Sequence, residues 1–177
     1  METIAKACQS GELKADITFV GSDRPGAKGL ETASSFGYQT KVFEYKQLGR
    51  AAGEDAITEA VSETGTDWIV LAGFMRILSP EFVRRHAGRI INIHPALLPS
   101  FPGAHGIQDA WDAGVPVTGV TVHIVDEEVD HGPILAQERV ERMDDDTIET
   151  LESKIHAVEH VIYKAALKKF FEEHPIN

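Results

Sequence analysis

The sequence predicts an α/β fold with a largely parallel sheet. Three observations carry that expectation: short β-branched or aromatic-rich runs bounded by turn residues, amphipathic stretches between them, and one long helical pattern near the end. A helix is expected first, over residues 1–10, because Met1, Ile4, Ala5 and Cys8 share one face, although no capping residue precedes them. Strands are expected over residues 17–20, 40–43, 68–72, 89–93 and 117–125, with 134–140 adding another. Helices are expected over 29–35, 51–62 and 81–86, the last opened by Ser79 as N-cap and Pro80 in the first turn. In the final helix Ile148, Leu151, Ile155, Val158, Ile162 and Ala165 recur at spacings of three and four along one face. Asp146 with Glu149 suggests a capping box at its start, and Lys168 and Lys169 suit the negative end of its dipole. The alternation reads as βα throughout, without repeats or linker-like segments, so residues 1–177 are expected to form a single domain.

Composition narrows the function classes. A chain of 177 residues can bury roughly 70% of its unfolded surface around one core. No window approaches the roughly 18 apolar residues of a membrane span, so a helical membrane protein is excluded. The one cysteine, Cys8, cannot make an internal disulfide, and the first residues lack a secretory pattern, which points to reducing cytoplasm. A formal charge of −11 would repel a phosphate backbone and disfavours nucleic acid as a partner. Small anionic substrates stay open, because net charge does not set the sign of one pocket.

The run Arg89-Ile90-Ile91-Asn92-Ile93-His94-Pro95 ends a strand at a proline, and strand alternation puts Asn92 and His94 side by side on one face. Ligands of open α/β sheets bind beyond the carboxyl ends of parallel strands, where such a pair would sit. The same fragment also fits a hydrogen-bonded structural pair at a strand end. The two side chains suit acyl transfer, since an amide can donate to a carbonyl oxygen gaining charge and a histidine can shuttle a proton near neutral pH. Serine-hydrolase wiring is weak, because there is no G-x-S-x-G and Cys8 falls in an expected helix. The acidic run Asp126-Glu127-Glu128-Val129-Asp130-His131-Gly132-Pro133 reads by itself as a solvated turn. The strand before it would bring a carboxylate to the sheet edge, where an aspartate could hold the tautomer of His94 and favour its cation. His94, His105, His123 and His131 match no metal-ligand spacing, and His123 falls in mid-strand, where a structural role is the commoner reading.

Taken in order, Leu71-Ala72-Gly73-Phe74-Met75-Arg76-Ile77-Leu78-Ser79-Pro80, Asn92-Ile93-His94-Pro95-Ala96-Leu97-Leu98-Pro99, Phe101-Pro102-Gly103-Ala104-His105 and Thr118-Gly119-Val120-Thr121-Val122-His123 through Asp130-His131-Gly132-Pro133 strongly resemble the phosphoribosylglycinamide formyltransferases. The likeness covers essentially the whole chain. It implies a Rossmann-like formyltransferase fold and transfer of formyl from 10-formyltetrahydrofolate to the amine of glycinamide ribonucleotide in purine synthesis, without a metal. By that likeness Asn92 would polarise the formyl oxygen, His94 would manage the proton, and Asp130 would favour the charged form of the histidine. Met75, Arg76, Ile77 and Leu78, the loop Asp126, Glu127, Glu128, Val129 and Asp130, and Arg50 match folate contacts, while His156, Ala157, Val158 and Glu159 match a contact to the ribonucleotide. A helix-surface arginine and a solvated glutamate are the plainer readings of Arg50 and Glu159. Methionyl-tRNA formyltransferase and formyltetrahydrofolate hydrolase share the catalytic set but are disfavoured, the one for its added nucleic-acid-binding barrel, the other for its regulatory domain and a different residue in place of Pro95.

The family opens with a strand and a Ser-Gly-x-Gly-Ser/Thr-Asn phosphate loop, and Met1 stands where the residue after that Asn would be. The resemblance thus implies a missing first strand and a chain that binds folate better than the ribonucleotide. A folate-binding relative without transferase activity is the alternative reading, and association into a homodimer is left open.

Overall fold

The helical start, the alternating strands and helices, and the long closing helix are all present in the computed structural model, which describes residues 1–175. Two compact units divide the chain, one of residues 1–67 with the stretch from Phe171, the other Trp68–Phe170.

In the first unit α1 (Glu2–Gln9) buries Ala5 and Ala7 and packs on α2 (Lys28–Ser35), which buries Leu30 and Ala33. As expected, no side chain caps the start of α1. Strand β1 (Val20–Ser22) pairs in parallel with β2 (Thr40–Val42). The strand therefore begins later than residues 17–20, where the Val20 N–H donates to the Gln39 carbonyl at 2.8 Å. An apolar run reports burial, whereas the partner's register decides where pairing starts. A short helix α3 (Tyr45–Leu48) was not foreseen, and it turns through Gly49, at φ 81, into α4 (Arg50–Glu63). That left-handed backbone favours glycine.

The second unit holds β3 (Ile69–Val70), α5 (Pro80–Arg85), β4 (Ile90–His94), α6 (Gly106–Asp112), β5 (Val117–Ile124), β6 (Ile134–Glu141) and α7 (Ile148–Glu173), the last running to Phe170 in this unit. Its sheet has the order β3-β4-β5-β6. β3 and β4 are parallel, but β4–β5 and β5–β6 are antiparallel, so the sheet is mixed and the strict βα alternation fails after β5. Residues 125–133 are too few for a parallel crossover, which needs about a dozen or more. Helix α6, between β4 and β5, was also missed by the sequence pattern. Ser79 caps α5 as expected, its Oγ accepting from the Phe82 N–H at 3.1 Å.

Ile90, Ile91, Val120 and Val122 from the sheet and Leu151, Ile155 and Leu167 from α7 are at most 1% exposed and form the centre of this unit. Leu151, Ile155 and Ile162 of the expected stripe are buried, whereas Ala165 is exposed and the buried face runs on through Tyr163, Ala166, Leu167 and Phe170 instead. Tyr163 donates its hydroxyl to the Leu71 carbonyl at 2.6 Å, with the Ile91 carbonyl 3.2 Å away. These contacts satisfy the one polar atom of the buried ring and tie α7 to the end of β3 and, through Ile91, to β4, the strand that carries Asn92 and His94; burial also pushes the tyrosine's pKa well up.

The start of α7 corrects the expected capping box. Thr147 and Thr150 form the reciprocal pair: the Thr150 N–H donates to Thr147 Oγ1 at 3.3 Å, and the Thr147 N–H donates to Thr150 Oγ1 at 2.9 Å. Asp146 instead accepts from the Met143 N–H at 2.7 Å, from Thr150 Oγ1 at 2.9 Å and from Lys154 Nζ at 2.6 Å. These donors reward the ionised carboxylate, the Lys154 ammonium most, and hold its pKa down at about 2. Because the folded value is depressed, this stabilisation is present above the unfolded pKa of about 3.9 and is lost as pH falls toward 2. Asp146→Asn should lower the melting temperature at pH 7 and flatten the loss of stability between pH 4 and 2; equal acid sensitivity in both proteins would count against this assignment.

Gly132 closes the segment joining β5 to β6. A Cβ there would lie 2.0 Å from the Ile124 carbonyl oxygen, a backbone atom that cannot swing aside. Gly132→Ala should therefore cost about 1–3 kcal/mol or more and lower the melting temperature by several degrees, an outcome that thermal denaturation monitored by circular dichroism can refute by showing no change.

Candidate active site

The register of the antiparallel β4–β5 pair builds the site. Asn92 lies opposite His123, and His94 lies opposite Thr121. Directly opposed residues project to one face, so these four polar side chains form a patch on one side of the β4–β5 pair. His94 is 4% exposed, His123 1% and Thr121 0%. Buried polar groups of this kind must find partners.

The partners come from two loops. Asp130, at the end of the β5–β6 segment, turns inward: its Oδ2 is 3.4 Å from His94 Nδ1 and its Oδ1 is 3.5 Å from His123 Nε2. The Gly103 N–H donates to Oδ2 at 2.7 Å. Burial would raise the Asp130 pKa, but the His123 ring, the Gly103 N–H and the nearby His94 ring together outweigh it and hold the carboxyl below its ordinary value. His94 Nε2 meets the Phe101 carbonyl at 2.7 Å. A carbonyl can only accept, so Nε2 carries a hydrogen in this arrangement. Asn92 Nδ2 and His123 Nε2 are 3.4 Å apart, and His123 Nδ1 lies 3.0 Å from the Ile124 carbonyl. That second contact places a hydrogen on Nδ1 of His123.

Two residues of the site hold left-handed backbone, Phe101 at φ 56 and Asp130 at φ 52. The conformation costs roughly 1–2 kcal/mol per residue outside glycine, and such strain persists where surrounding contacts over-determine it. Here the same two residues supply the carbonyl and the carboxylate that meet His94. The cost is thus offset at the point where the two loops converge.

The acidic segment is ordered by its own carboxylates. Asp126 Oδ1 accepts from the Glu128 N–H at 3.0 Å, and its Oδ2 lies 2.9 Å from His131 Nδ1. That contact, with Glu128 nearby, raises the pKa of the exposed His131. Glu127 pairs with Arg84 of α5 at 2.6 Å. Glu127, Glu128 and Val129 face solvent, so the solvated-turn reading describes most of the segment while Asp130 departs from it.

The remaining expected residues fall elsewhere. Met75, Arg76, Ile77 and Leu78 form an irregular stretch before α5, with Met75 70% and Ile77 65% exposed. His156, Ala157, Val158 and Glu159 lie on α7, where His156 Nδ1 is 2.6 Å from Glu159 Oε2 and its Nε2 is 3.5 Å from Glu152 Oε1. The Glu159 contact, opposed by partial burial, raises the His156 pKa. Arg50 belongs to the first unit, at the start of α4, with its Nε 3.4 Å from Glu54 Oε1. The four histidines do not gather: His94 and His123 flank Asp130, His131 pairs with Asp126, and His105 is exposed. Among the described residues no group of three or more His, Cys, Asp or Glu could hold a metal ion, and no helix is long and apolar enough to cross a membrane.

Sequence reasoning missed the inward reach of His123, the Phe101 carbonyl and the Gly103 N–H. A signal for His123 existed. In Thr121-Val122-His123 two polar residues alternate within an apolar strand, which puts both on one face.

Known proteins resemble this chain in both sequence and fold. The formyl transferase family profile matches residues 1–167. The phosphoribosylglycinamide formyltransferase of Bacillus subtilis is 40% identical over 95% of this chain and 87% of its own length. The trifunctional purine biosynthetic protein adenosine-3 of Bos taurus is 46% identical over 87% of this chain, which spans only 15% of that protein. Among solved structures, the phosphoribosylglycinamide formyltransferase of Bacillus halodurans superposes with a TM-score of 0.92 at 42% identity, over 96% of this chain and 88% of that one. The chain belongs to the formyl transferase family, on its phosphoribosylglycinamide formyltransferase branch.

Proposed function

We propose that this chain transfers a formyl group from 10-formyltetrahydrofolate to the amine of glycinamide ribonucleotide, a step of purine biosynthesis set in the cytoplasm. The observation that carries the reading is the joint placement of an amide, an imidazole and a carboxylate, with Asn92, His94 and Asp130 brought together by one strand register and one inward turn. The names of the relatives support the substrates, and a profile spanning both units supports reading them as one formyltransferase domain.

Each group then has a role. As the amine attacks, the formyl carbonyl gains negative charge, and the Asn92 amide donates to that oxygen. A new carbon–nitrogen bond forms to the amine, the bond to the folate nitrogen breaks, the amine loses a proton and the departing nitrogen gains one. His94 passes its Nε2 hydrogen to the departing nitrogen and takes the amine's proton in its place, and Asp130 orients the ring. His94 Nε2 becomes available when its bond to the Phe101 carbonyl is exchanged for one to substrate. No side-chain nucleophile is required, because the acceptor is itself an amine.

Two exposed segments fit the folate. Met75, Ile77 and Val129 are large apolar side chains 70%, 65% and 48% exposed, and Val129 lies within the carboxylate-bearing Asp126–Asp130 turn. Apolar surface beside a few polar groups suits a flat heteroaromatic ring. Leu78 and Arg76 continue the first segment, and Arg50 is assigned to the donor as well. Glu159, with His156, Ala157 and Val158, is assigned to the ribonucleotide.

Mixing the chain with both substrates should release tetrahydrofolate. His94→Ala and Asp130→Asn should each slow turnover by roughly 10²–10⁴-fold, and Asn92→Ala should lower kcat by roughly 10²–10³-fold. Near-normal turnover in the His94 and Asp130 variants sinks the catalytic assignment. Glu159→Gln should raise KM for the ribonucleotide by about tenfold and leave KM for the folate unchanged; steady-state kinetics with each substrate varied in turn would expose the opposite pattern.

A further inference from the structure

A second hydrogen-bonded group stands behind His94, and none of the roles above uses it. Thr121 is fully buried on β5, directly across from His94. Its Oγ1 donates to the Ala96 carbonyl at 2.7 Å and accepts from the Leu98 N–H at 3.0 Å. A third bond comes from Gln137 Nε2 at 2.9 Å. A hydroxyl has one hydrogen and two lone pairs, so all three are occupied and Thr121 has no proton to offer the reaction. Gln137 lies opposite Thr121 on the edge strand β6, hence on the same face, and its Nε2 also donates to the Leu98 carbonyl at 2.8 Å. Side chains rather than a strand partner thus hold both polar backbone groups of Leu98.

Leu98 is the root of the segment that ends on His94. From there a turn, with the Ser100 N–H donating to the Leu97 carbonyl at 3.0 Å, leads to Phe101, whose carbonyl meets Nε2. The Gly103 N–H then reaches Asp130. The segment is therefore fastened at its root by Thr121 and Gln137 and at its tip by His94 and Asp130.

We propose that Gln137, acting through Thr121 and Leu98, is a positioning residue for His94: the pair fixes the root of the 95–103 segment so that, before substrate binds, the Phe101 carbonyl holds the imidazole in the orientation from which Nε2 is handed over to substrate. The catalytic side of this inference rests on the reading of His94 as the proton carrier. Removing a partner at a buried site leaves the Leu98 or Ala96 backbone unpaired, and the segment shifts to recover the lost bond. A displacement on the order of 1 Å at a catalytic group can slow turnover by about 10²-fold.

The test uses the full chain and three variants, Gln137→Met, Thr121→Val and Thr121→Ser. The ring N–H of His94 is read by ¹H–¹⁵N correlation without substrate, kcat and KM are measured with both substrates, and thermal melting confirms folding. The expected result for Gln137→Met and Thr121→Val is loss of the protected Nε2–H signal and a kcat about 10- to 100-fold lower, with KM for each substrate within about threefold of the parent. Thr121→Ser, which keeps the hydroxyl, should retain the signal and recover most of the kcat lost in Thr121→Val. If Thr121→Val does not fold, Gln137→Met decides, because that residue lies on the edge strand and is exposed. A folded Gln137→Met protein with the parent's ring signal and kcat overturns the proposal, as does one in which KM rises while kcat stays. An inactive parent would sink the transferase reading instead, and the ring signal would still decide the positioning.

Discussion

The antiparallel register of β4 and β5 is the constraint on which the site depends. A slip of one residue would move Asn92 and His94 away from His123 and Thr121 and turn one set of side chains into the core. The register is backed by the burial of Ile91, Val120 and Val122, and α7 is tied to the neighbouring strands by the Tyr163 hydroxyl on the Leu71 carbonyl just past β3, with the Ile91 carbonyl of β4 3.2 Å away. Core packing and the geometry of the candidate site are two faces of the same pairing. That is why a helix remote in sequence, α7, bears on where His94 sits.

The loops complete what the strands begin. Strands can place Asn92, His94, Thr121 and His123 on a common face, but they cannot bring a carboxylate or an opposing carbonyl over it. Asp130 and Phe101 do this from left-handed backbone, each held by contacts that converge on His94. Gly132 lets the β5–β6 connection pass close to the Ile124 carbonyl, and Thr121 with Gln137 anchors the other segment. The imidazole is enclosed by groups whose own positions are fixed elsewhere, as a reaction that gains from preorganisation requires.

Much of this was legible in the residues. Period-three and period-four apolar spacing located α7 and the first half of its buried face, Ser79-Pro80 marked α5, and the Asn92-x-His94 alternation put both groups on one side of β4. The sheet's mixed character was not legible, because apolar runs reveal burial without revealing direction. The start of α7 misled for a related reason: Asp146 looks like a cap in sequence, yet Thr147 and Thr150 cap each other while Asp146 binds Lys154. His123 read as structural because its two partners, Asn92 and Asp130, lie far from it or across a turn in sequence. Backbone partners such as the Phe101 carbonyl leave no trace in residue identity at all.

If His94 and Asp130 work as one unit, their effects on rate should not multiply. The most direct measurement is a double-mutant cycle on formyl transfer with His94→Ala, Asp130→Asn and the combined variant. The coupled geometry predicts a double variant scarcely slower than the worse single, because once the imidazole is gone the carboxylate has nothing left to orient. Rate losses that multiply across the two positions would show that the two groups act independently, and would contradict the arrangement described for this site.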